Sequence, residues 1–341
     1  MKSGMGQLNL PKRKAIHLAQ DQLVREGPLE SGENPLLFEP VVDGLNLVQW
    51  ATENRKVVLD KLQSAGAILF RAFNIRSIEE FEQFMTGLSG ELLDYSYRST
   101  PRTLVSGKIY TSTEYPAHQT IPLHNEMSYS RQWPMILGFF CVEPAAQGGE
   151  TPIVDSRKVF ERIDPKIREL FARKNVMYVR NYGAGLDLPW QDVFQTDNRA
   201  EVEDYCHRVG IGFEWKSEDQ LRTTQVCQSV ATHPATAESV WFNQAHLFHV
   251  SSLKAGIRES LLASVDDEPP RNAFFGDGSE IEDSMLDHIR EVYEQEKLVF
   301  PWQKGDVLLV DNMLTAHGRK PYSGARKIVV GMAQSFGNET A

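Results

Sequence analysis

The chain has 341 residues, 41% of them hydrophobic and 10% aromatic, enough for a sizeable core, and a formal net charge of −10. So acidic a protein argues against general nucleic-acid binding, which needs Lys and Arg clustered against phosphates, and no apolar run approaches the roughly 18 residues that a membrane-spanning helix needs. The start, MKSGMGQLNLPKRKAIHLAQ, lacks the apolar segment of a secretory signal, and Cys141, Cys206 and Cys227 form no CxxC pair, so a reduced, cytoplasmic protein with incidental thiols is expected.

Residues 1–35 are polar, with the loop signal ESGENP at 30–35, and read as an N-terminal arm laid over a single domain at 36–341. Residues 44–64 carry a helical apolar stripe including Leu45, Val48, Val58 and Leu62. AGAILFRAF (65–73) reads as a buried strand, and SIEEFEQFMTGLSG (77–90) as a helix capped by Ser77 with Glu80 three residues on. Strands are then expected at 136–143, 148–155, 175–182, 238–244, 306–311 and 326–335, and helices at 164–175, 200–210 and 280–297. Strands and helices do not alternate one for one. That disfavours a doubly wound parallel sheet and favours a mainly β sandwich or jelly-roll with helical insertions at about 156–210 and 250–297. No internal repeat and no second core is visible.

The stretch IPLHNEMSYS (121–130) places His124 and Glu126 one residue apart. In an extended chain both side chains point to the same side, which suits a metal site, an acid–base pair or an accident of the surface. A third ligand would decide between them. His17 lies in the arm, His118 and His233 in loops, and His207 and His288 in charged helices. His246 and His249 follow the strand VWFNQ. His317 ends the apolar stretch DVLLVDNMLTA just before the turn GRKPYSG, well placed at the mouth of a barrel, although a hydrogen-bonded loop histidine fits the same position. Two histidines and a carboxylate leave positions open for a non-haem Fe(II) oxygenase, and they also fit a zinc hydrolase with a separate carboxylate base. A cosubstrate dicarboxylate separates the two, because its distal carboxylate needs a forked partner. Arg326, nine residues after His317, is placed for that role, and Arg319 is read as bracing the loop.

Four segments together resemble the TauD/TfdA-type, clavaminate synthase-like, Fe(II)/2-oxoglutarate dioxygenases. They are IPLHNEMSYSRQWP, AAQGGETPIVDSRKVF, VWFNQAHLFH and GDVLLVDNMLTAHGRKPYSGARKIVVGMA, in the family's order over roughly residues 100–333. The resemblance implies a double-stranded β-helix (jelly-roll) core flanked by helices. It implies Fe(II) on His124, Glu126 and His317, with O2 and 2-oxoglutarate as cosubstrates. Arg326 would hold the distal carboxylate of 2-oxoglutarate, with Thr151 as a second donor. The chain reads Arg326-Lys327, and alternation allows only one of the two to face the pocket. Glu126 stands where many relatives have Asp; its carboxylate argues against halogenation, which needs a small residue there. The wording is most similar to the SyrP-like branch. That implies hydroxylation of an amino-acid-like substrate in natural-product biosynthesis, with desaturation or epoxidation as other outcomes on the same iron. A tethered substrate would bring an acyl or peptidyl carrier protein as partner, met by Lys12, Arg13 and Lys14. Gln119, Tyr129, Asn243 and His246 flank the ligand segments and are the expected substrate contacts, while Trp133, Phe139 and Phe140 are expected in the core. A zinc hydrolase would leave Arg326 and Thr151 without a role, and a non-catalytic binding protein would be expected to lose a ligand.

Overall fold

The computed structural model describes residues 23–337, apart from residues 30–31, 96, 98–101, 113–114, 184–187, 255, 257 and 260–268. Its main sheet has eight strands, in the spatial order Val24–Leu29, Gly32–Pro40, Ala67–Phe70, Val307–Asp311, Gln132–Glu143, Lys327–Gly337, Ile109–Thr111 and Leu104–Ser106. Neighbours run antiparallel except for Gly32–Pro40 beside Ala67–Phe70. The first four residues of VLLVD are apolar because both faces of the strand are covered. Val307 and Leu309 meet Leu47, Trp50, Val58 and Phe84 on one side. Leu308 and Val310 meet Leu137, Phe139 and Ile328 on the other. The alternation is the two-residue period of a strand. Gly138 lies where the helix Ile78–Ser89 presses on the sheet; a Cβ there would come within 2.2 Å of Met85 Sδ.

Two expectations change here. The helix expected over 44–64 is two helices, Leu47–Glu53 and Arg55–Ala65. Asn54 separates them, its Nδ2 donating to the Trp50 carbonyl at 2.8 Å. An Asn side chain that bonds backbone competes with the helix ladder at that point. The boundary of the arm also moves. Residues 24–29 and 32–35 belong to paired strands of the main sheet, held there by backbone pairing rather than by an apolar period that a sequence would show. Residues 1–22 lie outside the described residues. Ser77 caps its helix as expected, its Oγ accepting from the Glu80 N–H at 3.2 Å.

A three-stranded sheet, in the order Ile121–His124, Thr315–Arg319 and Ile153–Asp155, closes over the second face and adds Ile153 to its core. The expected strand at 148–155 is thus two short ones, Gln147–Gly148 and Ile153–Asp155. This pair of sheets is the jelly-roll. A further four-stranded sheet (Gly212–Trp215, Leu221–Cys227, Val176–Tyr182, Arg271–Phe275) packs with helices such as Pro165–Lys174, Arg199–Val209 and Asp283–Glu296 around a second apolar cluster. No second core was expected, since its residues are scattered over many short elements between 97 and 316. The cluster shares Leu123, Val154 and Ala316 with the three-stranded sheet.

The three cysteines are buried and unbridged. Burial pushes each thiol up to about 12, so they are inert packing groups. Among the described residues no helix is long and apolar enough to cross a membrane.

Candidate metal centre and active site

The strand Val307–Asp311 ends in a turn built by its last residue. Asp311 Oδ1 accepts from the N–H groups of Met313 and Leu314 at 3.0 and 3.2 Å, and Oδ2 meets His233 Nε2 at 3.1 Å. The turn sends the chain back as Thr315–Arg319, whose His317 pairs in register with His124. Asn312, inside the turn and fully buried, grips the other side of the site. Its Oδ1 accepts from the Glu126 N–H at 2.7 Å, and its Nδ2 donates to the Glu126 and Pro134 carbonyls at 2.9 and 2.8 Å. Asn312 therefore fixes the backbone that presents Glu126. Met127 then adopts φ +57°, and the chain turns away.

His124, Glu126 and His317 converge, with one ligand atom from each lying within 4.8 Å of the others. Their rings and carboxylate are close: the imidazole centroids are 4.6 Å apart, and His317 Nε2 is 3.9 Å from Glu126 Oε2. His124 Nδ1 lies 2.8 Å from the Pro122 carbonyl. That contact calls for a proton on Nδ1 and leaves the Nε2 lone pair free, the arrangement a metal ligand needs. Burial lowers the proton affinity of both histidines, and for His317 the charges of His124 and Arg102 add to the effect. Neutral imidazoles beside a carboxylate are the donor set that a divalent metal takes without first displacing protons. Phe139 packs on His317 at 5.0 Å, so it both fills the core and holds a ligand ring.

His124 and His317 of the triad line a cavity together with Arg102, Phe139, Thr151, Arg319 and Arg326. Arg326 faces it, whereas Lys327 is exposed, which answers the question that alternation raised. The guanidinium of Arg326 donates from Nε to the Gly149 carbonyl at 2.9 Å and from Nη1 to Ser112 Oγ at 3.2 Å. Burial and the neighbouring Arg319 pull its pKa down to about 10, so it remains a cation at neutral pH. Thr151 Oγ1 accepts from Trp302 Nε1 at 3.1 Å, which leaves its own hydroxyl proton to be donated. Arg319 braces the loop as expected, donating to the carbonyls of Tyr115, Pro116 and Gln119.

The glycine pair has a steric reason. Gly149 sits at φ +71°, and a Cβ there would stand 2.9 Å from Arg326 Cδ and 3.0 Å from its Nε. Gly149→Ala is therefore expected to displace Arg326 and to destabilise the fold by about 1–3 kcal/mol. Calorimetry should show 2-oxoglutarate affinity falling about tenfold while metal affinity stays nearly unchanged.

The four expected substrate contacts do not line this cavity. Tyr129 is buried in the second cluster, its hydroxyl donating to the Tyr97 carbonyl at 3.0 Å. Asn243 closes its own loop, donating to the Ser229 carbonyl and accepting from the Ala245 N–H. His246 lies behind His124, with Nε2 at 3.1 Å from the Leu123 carbonyl and its ring stacked on Tyr293. Gln119 is exposed. Arg102, Asn312 and Ser112 are the site residues that sequence reasoning missed. Asn312 alone left a signal, a polar residue directly after a buried strand.

The second family element, Gly148 to Thr151, thus meets the fourth, Arg326, across the cavity that holds the triad, and comparison with known proteins agrees. The family model described as taurine catabolism dioxygenase TauD, TfdA family, matches residues 30–333. The chain belongs to the TauD/TfdA family. It is an iron(II)- and 2-oxoglutarate-dependent dioxygenase, with O2 as its other cosubstrate. It is 44% identical over 272 residues to the dapdiamide synthesis protein DdaC of Enterobacter agglomerans, covering 80% of this chain and 83% of that one. It is 30% identical over 302 residues to a clavaminate synthase-like protein of Arabidopsis thaliana, covering 85% and 88%. The fold is similar to that of PvcB, an Fe, alpha-ketoglutarate-dependent oxygenase from an isonitrile synthetic pathway, with a TM-score of 0.54, 17% identity and 94% of each chain covered. It is also similar to AAD-2 in complex with Mn(II) and N-oxalylglycine, with a TM-score of 0.54, 14% identity, and 93% and 99% covered.

One consequence of burying these histidines is a pH dependence of stability. Burial lowers the pKa of His246 to about 3, and those of His124 and His317 also fall. The unfolded chain takes up these protons below about 6.5 and the folded chain does not. Stability of the metal-free protein should therefore be complete above that pH and fall as pH drops from about 6.5 toward 3. The slope is up to about 1.4 kcal/mol per pH unit for each histidine. Urea unfolding of metal-free protein at several pH values measures it, and a flat profile would count against neutral buried imidazoles.

Proposed function

We propose that the protein oxidises an amino acid or an amino-acid-derived small molecule, most simply by hydroxylating an unactivated C–H bond, in natural-product biosynthesis. The reading rests on one arrangement: the converging His124–Glu126–His317 triad, whose two histidines line a cavity with Arg326 and Thr151. In it, the triad holds iron. Arg326 takes the distal carboxylate of 2-oxoglutarate in its fork, and Thr151 donates to the same group. Asn312 keeps the backbone that presents Glu126 in place. The iron, when bound, supplies the oxidation of a C–H bond coupled to loss of CO2 from 2-oxoglutarate. The protein decides which C–H bond is presented and keeps water out. Similarity to a dapdiamide synthesis protein supports a biosynthetic setting. The substrate is a small molecule, offered free or tethered to a carrier protein; Lys12, Arg13 and Lys14, the residues that would meet a carrier, lie outside the described residues.

The test is aerobic incubation with Fe(II), 2-oxoglutarate and a panel of free, N-acylated and carrier-tethered amino acids. One of them should raise succinate above its substrate-free background and gain one oxygen atom in equal amount. Loss of two hydrogens instead would establish desaturation. A panel that leaves succinate at background throughout would overturn the amino-acid reading.

A further inference from the structure

Arg102 is a cation in an unusual place. It lies just ahead of the edge strand Leu104–Ser106, with its side chain only 3% exposed, and it lines the cavity of the triad. Its guanidinium sits over the Tyr95 ring at 4.5 Å, and Nη2 donates to Glu126 Oε2 at 2.6 Å. Nε and Nη1 are both buried and have no hydrogen-bond partner among the described residues. Two unmet donors on a buried charge are costly.

Bracing Glu126 uses only one of the three nitrogens, and a cation beside a metal site would by itself weaken metal binding. Both costs are offset if an anion docks there. A metal ion, Arg102, Arg319 and Arg326 together outweigh Glu126 and a bound dicarboxylate, so the cavity has room for negative charge. Nε and Nη1 point away from each other, but Nη2 keeps a second N–H beside its bond to Glu126, and that N–H together with one of the two free nitrogens forms the planar fork that matches a carboxylate. Arg326, held by Gly149 and Ser112, is the anchor for the distal end of 2-oxoglutarate in the reading above. Arg102 contacts the triad itself and addresses the metal end.

We propose that Arg102 is a recognition residue for a carboxylate docked beside the metal. The inference rests on the 2-oxoglutarate reading of the cavity. The carboxylate has two sources, the 2-oxo acid end of 2-oxoglutarate or the primary substrate, which would then be a free acid.

The experiment uses wild-type protein, Arg102→Gln and Arg102→Lys. Thermal midpoint and Mn(II) affinity are measured first. Anaerobic calorimetry on the Mn(II)-loaded proteins then follows 2-oxoglutarate, and in its presence N-acetyl amino acids and their carboxamides. Arg102→Gln should weaken one of the two binding steps by tenfold to a hundredfold, with Mn(II) affinity changed far less, and Arg102→Lys should recover part of it. Loss in the 2-oxoglutarate step assigns the carboxylate to the cosubstrate. Loss of the wild type's preference for acids over carboxamides assigns it to the substrate. If neither step weakens, or if the loss follows Mn(II) affinity in equal measure, Arg102 only positions Glu126 and the proposal is wrong. Should Arg102→Gln not fold, Arg102→Lys carries the same comparison. Failure of wild-type protein to bind 2-oxoglutarate at all would instead refute the reading on which the inference rests.

Discussion

Replacing His317 by alanine is expected to cost the protein its iron and, with it, all turnover. Among the described residues His317 is one of three converging donors, and the other two, His124 and Glu126, come from one short stretch at and just after the neighbouring strand. Without it, nothing from the Thr315–Arg319 strand reaches the metal. Changes to residues that merely support ligands commonly cost 10–100-fold in metal affinity, so loss of a ligand should cost on the order of a hundredfold or more. The fold should survive. His317 packs on His124 and Phe139, and truncating it leaves a small cavity worth about 1–3 kcal/mol, partly offset because a buried imidazole no longer resists protonation. Iron content after dialysis, with the thermal midpoint of the metal-free protein as control, reads both effects. Wild-type iron content in a folded variant would remove His317 from the site.

Arg326→Leu is expected to leave the iron in place and to raise the concentration of 2-oxoglutarate needed for half-saturation by about a hundredfold. The estimate follows from truncating one partner of a buried charge pair, which costs roughly 2–5 kcal/mol. Arg326→Lys should fall between the two, since an ammonium cannot present a fork. The nearby Arg319 should not compensate, because its donors already serve three backbone carbonyls. Calorimetric titration of Mn(II)-loaded protein measures the series. Equal affinities in wild type and Arg326→Leu would exclude Arg326 as the anchor.

The parts of this site that could be read from sequence are those where function and secondary structure coincide. His124 ends one strand and Glu126 follows it, His317 lies on the return strand after DVLLVD, and Arg326 immediately precedes the next. Each is marked by a strand period and a turn signal. Gly149 was legible as part of a motif, but its reason, the crowding of Arg326, is a contact between distant segments. Arg102 left no signal at all: Glu126 is 24 residues away along the chain, and nothing in RSTPRTL reveals that the arginine is buried. The four substrate candidates lie outside the lining of this cavity for a related reason. Adjacency in sequence is not adjacency in space: Tyr129 packs in the second apolar cluster, and Asn243 and His246 bond to backbone carbonyls of Ser229 and Leu123. The helix break at Asn54 and the edge strand at 24–29 were missed because each is decided by hydrogen bonds to partners rather than by apolar period.

The measurement that tests the central claim most directly is an anaerobic titration of the metal-free protein, first with Fe(II) and then with 2-oxoglutarate. The weak visible charge-transfer band of the iron chelate is followed in wild type and in His317→Ala. The band should grow to saturation with one Fe(II) and one 2-oxoglutarate per chain, and should not form in His317→Ala. Folded, iron-loaded wild-type protein that gives no band on adding 2-oxoglutarate would contradict the account at its base.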